Sequence, residues 1–147
     1  MSLFFGCKER KSKKSEDKFY THTTSSWDAV RIPLIKPYEL IRTNGSMEWT
    51  MNLNTIPGSV SNIKEVNVLK NVIVIHSGET YCNNEKVQEA WVLVMPDKNI
   101  EQCFESKQDF DKQLSSLQIS NPKFYAADKI YDQFDKNKKI DWQVEIE

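Results

Sequence analysis

The chain has little of what reactive sites are usually made from. Its 147 residues include two histidines, three cysteines and four glycines. With so few glycines, no Gly-rich loop is available to cradle a phosphate, and no D-x-[DN]-x-[DN]-G run offers a calcium loop. Cys7, Cys82 and Cys103 show no C-x-x-C spacing for zinc or redox work, so neither metal nor cofactor is expected. The longest apolar runs, Val72 to Ile75 and Ala90 to Met95, have strand length and fall far short of the ~20 residues a membrane-spanning helix needs.

The formal charge of −1 is unevenly spread. Residues 8–18 carry six basic side chains against three acidic ones, a local +3 that leaves −4 for residues 19–147. Nucleic-acid binding wants a basic face on the folded part, and an acidic body with one short basic tail excludes it. Hydrophobic residues at 39% and charged residues at 28% fit a single globular domain large enough to bury a core.

The start of the chain holds the most specific pattern. Leu3-Phe4-Phe5-Gly6-Cys7 is a short apolar stretch, a small residue and a cysteine, followed by a Ser/Lys-rich segment with no apolar residue until Phe19. This resembles the end of the signal of a small bacterial lipoprotein of the Bacteroidota type. The resemblance implies a lipid on Cys7, attachment to a membrane surface, and a location in the cell envelope. An export signal needs a positive start and ~7–15 apolar residues, more than Met1 to Gly6 supply, so the resemblance also implies a start upstream. Three parts are expected: residues 1–7 as the remnant of the signal, 8–26 as a flexible charged tether, and 27–147 as one domain.

The body reads as α+β: an antiparallel β-meander followed by two helices laid on one face. Asn44-Gly45 predicts a two-residue type I′ hairpin that pairs Leu40 with Trp49 and Tyr38 with Met51. That register places Tyr38, Leu40, Met47, Trp49 and Met51 on one side. A second hairpin folds at Asn83-Asn84 and sets Tyr81 opposite Lys86, His76 opposite Trp91, and Val74 opposite Leu93. Strands are also expected over Ile63 to Leu69 and Ile100 to Phe104. Ser106 to Asp109 has the form of a capping box before a stripe of Phe110, Leu114 and Leu117. A second stripe runs through Ala127, Ile130, Tyr131 and Phe134, and Trp142, Val144 and Ile146 alternate as a final strand.

Candidate chemistry is sparse. His22 lies in a polar segment and reads as solvated. His76, at the end of an apolar strand opposite Trp91, makes these two the candidate ligand contacts, although no nucleophile is placed beside His76 by spacing. The aromatic residues read as core. A straight hairpin puts Cys82 at a tip roughly 35 Å from the end that leads to Cys103, which predicts two free thiols. The function expected is therefore non-catalytic: an envelope-anchored module for binding or protein–protein interaction. The alternative is a cytosolic partner-binding protein of the immunity type, whose acidic body would suit a basic partner.

Overall fold

The computed structural model describes residues 17–26, 28–56 and 58–142. Cys7 and the expected final strand beyond Trp142 lie outside them. The strands are β1 (Thr24–Ser26), β2 (Ala29–Pro33), β3 (Glu39–Thr43), β4 (Trp49–Asn52), β5 (Ser59–Leu69), β6 (Val72–Ser77), β7 (Thr80–Cys82), β8 (Glu85–Val87), β9 (Ala90–Met95), β10 (Ile100–Phe104) and β11 (Tyr125–Ala126). The helices are α1 (Lys107–Ser116) and α2 (Ala127–Asn137). The chain forms the expected class, an antiparallel meander in the order β1-β2-β3-β4-β5-β6-β9-β10 followed by two helices.

Alternation decides what each face of the sheet buries. Ile32, Leu40, Trp49, Met51, Val60, Ile73, Ile75, Val92 and Val94 line one side, where Ala127 and Ile130 of α2 join them. Val72, Val74, Trp91 and Leu93 line the other, covered by Phe110 and Leu114 of α1. The two helices thus divide the faces between them, instead of both lying on one face as expected. Apolar residues at every position from Val72 to Ile75 of β6 and throughout β9 require this, since neither face of those strands can be left to water. Each helix starts where its sequence says: Ser106 caps α1 by accepting from the Asp109 amide at 3.4 Å.

The second hairpin has the predicted register, with Tyr81↔Lys86, His76↔Trp91 and Val74↔Leu93. Asn83 and Asn84 both take positive φ, 52° and 66°. The first hairpin differs. Its pairing is Ile41↔Thr50, two residues from the expected register, and only Gly45 of the Asn-Gly pair takes positive φ, at 83°. The turn closes through the Ser46 amide on the Thr43 carbonyl, while the Asn44 amide donates to Asp28. Because side chains alternate with a period of two, a two-residue shift keeps Tyr38, Leu40, Trp49 and Met51 buried. Met47 alone is displaced, into the longer loop, where it is 88% exposed.

Two further expectations are overturned. Cys82 and Cys103 form a disulfide with Cα atoms 5.7 Å apart, instead of remaining free thiols. The pairing register was right and the straight ribbon was not: β7 and β8 form a separate two-stranded sheet that folds back over the Val92 side to reach β10. The bend lies at Gly78, whose amide donates to the Asn62 carbonyl. A Cβ there would sit 2.5 Å from the Asn62 side chain, so glycine permits the close approach. Ser61 then donates its amide to Thr80, laying the outer arm along β5.

The second correction concerns the tether. Residues 17–26 belong to the folded body and are not a flexible linker. Arg31, buried in β2, donates to the carbonyls of Phe19 and His22 at 2.6 Å each, pairs with Glu39, and lies 4.5 Å over the Phe19 ring. Tyr20 accepts the Lys36 amide, and β1 pairs with β2. Burying a guanidinium requires acceptors, and this segment supplies two of them.

Besides burying Ala127 and Ile130 in the core, helix α2 is fastened to the sheet by a carboxylate. Asp128 accepts from Arg42 at 3.0 Å and from the indole of Trp49 at 2.8 Å, with Arg42 stacked 4.6 Å over that ring. Asp128→Ala leaves a buried indole N–H unpartnered and is expected to lower stability by about 1–2 kcal/mol in denaturant titrations. Asp128→Asn, which keeps an acceptor oxygen, should lose less than half of that. Equal losses would contradict this account of the docking.

Candidate functional site

Of the residues singled out from sequence, His76 and Trp91 do come together. Their rings stack at 5.3 Å with planes 19° apart, and Phe124 meets His76 edge-on. Both imidazole nitrogens are engaged by carboxylates, Nδ1 by Glu65 at 3.0 Å and Nε2 by Glu89 at 2.6 Å. No described hydroxyl or thiol is hydrogen-bonded to the ring, so a general-base role would first require displacing a glutamate. The cluster ties β5, β6 and the segment entering β9 together through hydrogen bonds and stacking.

A second constellation, which sequence reasoning missed, is built on β10. Glu101 and Cys103 are two apart on this strand and therefore project to the same face. Glu101 is buried, 7% exposed, and its carboxylate collects five donors. Oε2 accepts from the Tyr38 hydroxyl at 2.6 Å and the Asn54 amide at 2.7 Å. Oε1 accepts from the amide and hydroxyl of Thr55 and from the Ile56 amide. Burial alone would push this carboxyl up. The hydrogen bonds from Asn54, Tyr38 and Thr55 outweigh it and bring the pKa down to about 2. Burial first, and then the facing carboxylate, push Tyr38 up to about 12, so the phenol keeps its proton and remains a donor.

Glu101 thereby pins the β4–β5 connection, and Cys103 pins the β7–β8 tip, where Asn83 also donates to the Cys103 carbonyl at 3.3 Å. Between these two fastened walls lies a cavity of about 430 Å³. Leu53, Ile56 and Val60 are its apolar lining, and Tyr81, Asn84 and Ser59 supply polar groups. Among the described residues, no charged side chain lines it. The sequence shows an acidic residue in phase with a cysteine along Ile100 to Phe104, but nothing local marks that face as buried or names their partners.

Among the described residues, no group of three or more His, Cys, Asp or Glu is placed to hold a metal ion, and no helix is long and apolar enough to cross a membrane. Comparison with protein-family models, with curated proteins and with solved structures finds no match for this chain.

Proposed function

We propose that this chain is an exported binding module of the bacterial cell envelope, anchored by lipid on Cys7 and acting by recognition and not by catalysis. The observation that carries the reading is the Cys82–Cys103 disulfide. Disulfides persist in the periplasm and at cell surfaces, whereas cytosolic thiols are kept reduced. A structural disulfide therefore favours export over the cytosolic alternative, and it agrees with the lipoprotein-like Leu3 to Cys7. The basic residues from Lys8 to Lys14 suit anionic headgroups, and several acyl chains on one cysteine hold where a single chain binds only marginally. A binding role is supported by a cavity with both walls fastened, and by a histidine whose nitrogens are already occupied.

Metabolic labelling with a clickable fatty acid tests the anchor. The full precursor should incorporate label, and its Cys7→Ser variant should incorporate none. Thiol trapping in the same cells should find Cys82 and Cys103 protected from alkylation. Unlabelled wild type, or free thiols at both positions, would remove the export reading.

A further inference from the structure

The cavity on β10 has a chemistry narrow enough to name a ligand class. Among the described residues its lining carries no charged side chain, and Lys86 and Glu79 on the same hairpin neutralise each other at 2.7 Å. An ion entering it would lose hydration without gaining a counter-charge, which excludes anionic and cationic ligands. A purely apolar ligand fares little better. The Tyr81 hydroxyl, the Ser59 hydroxyl and the Asn84 amide make no hydrogen bond among the described residues, and an apolar occupant would strip them of water with nothing in return.

What satisfies both sides is a neutral molecule with one apolar face and a rim of hydroxyls. The Tyr81 ring is 63% exposed yet contributes to the cavity wall, so an aromatic platform stands open at the mouth. Apolar Leu53, Ile56 and Val60 share the lining with these polar side chains, and the volume falls within the range of small-molecule sites. We propose that this cavity binds a neutral sugar ring, with Tyr81 as its stacking platform and Ser59 and Asn84 as its hydrogen-bonding groups.

An independent feature points the same way. A two-stranded arm of three-residue strands is marginal alone, yet this one is tied covalently to β10 while a buried carboxylate two residues away ties the facing loop. Both walls are thus fixed before any ligand arrives, which removes ordering cost from binding. The inference rests on the binding-module reading above and specifies its ligand.

The test is a 15N-HSQC titration of the full chain with glucose, galactose and N-acetylglucosamine, with glucuronate and glucosamine as charged controls. At least one neutral sugar should shift amides within 53–60 and 80–85, with a dissociation constant on the order of 1 mM, suited to a small polar ligand. Tyr81→Ala should weaken that binding at least about tenfold without changing the melting temperature, because the ring is exposed, and Tyr81→Phe should retain most of it. The proposal is overturned if no neutral sugar shifts those amides at tens of millimolar. Charged analogues that bind as well, or Tyr81→Ala that binds like wild type, would also overturn it. Acylation of Cys7 is read separately, so loss of the sugar site and loss of the anchor are distinct results.

Discussion

Replacing Glu101 with glutamine is expected to destabilise the domain by about 3 kcal/mol at pH 7, roughly 10 °C in melting temperature for a chain of this size. The substitution keeps the volume and removes the charge, so packing is not the cause. Oε1 meets three donors and Oε2 meets two. Whichever end becomes the amide NH2 turns toward donors and leaves them buried without an acceptor. Tyr38→Phe removes only one of the five and should cost about 1 kcal/mol.

The same carboxylate governs the acid limb of stability. Its folded pKa, about 2, lies below the ordinary value of 4.5, so the folded state binds this proton less readily than the unfolded chain. Stability from Glu101 is complete above about pH 5 and is lost as pH falls through 4.5 toward 2, amounting to about 3 kcal/mol. Glu101→Gln should show no such contribution, and its stability curve should converge on that of wild type near pH 2. Parallel curves for the two proteins over this range would refute the linkage. For Tyr38 the sign is opposite: its pKa is raised, so its contribution is present below pH 10 and is lost as pH climbs toward 12.

Removing the disulfide is the second large effect. Cys82 and Cys103 are 21 residues apart, and closing a loop of that length restricts the unfolded chain by about 3 kcal/mol in the chain-entropy account. The Cys82→Ala/Cys103→Ala double variant, or the wild type under a phosphine reductant, should melt roughly 10 °C lower. The loss should also be local. Amides of β7 and β8 should exchange much faster, because among the described residues a few hydrogen bonds through Ser61, Asn62 and Asn83 otherwise tie this arm to the sheet, while those of β6 and β9 keep protection near the global limit. Unchanged melting, or uniform acceleration across the sheet, would mean that the bridge does not fasten the arm.

Much of the fold could be read along the chain because local rules govern it. Asn83-Asn84 fixed a register that holds out to Val74↔Leu93, and the capping box located α1. The Asn44-Gly45 signal misled by two residues because the Asn44 amide is taken by Asp28, a partner from another loop. Spacing placed no nucleophile beside His76, and it gave no sign of the Glu65 and Glu89 carboxylates that engage both ring nitrogens. The β10 site was invisible. Glu101 in a strand reads as an outward residue until Tyr38 and the β4–β5 connection arrive from 45 to 63 positions away.

The sequence by itself determined which side of most strands faces inward and where the chain turns or begins a helix. Those choices depend on side-chain alternation and on the backbone freedom of a few residues. The tertiary structure alone decided the fold-back at Gly78, the meeting of Cys82 with Cys103, and the gathering of five donors on Glu101. These depend on where a twisted sheet carries distant segments in space, and alternation gives the side of a strand without giving its path.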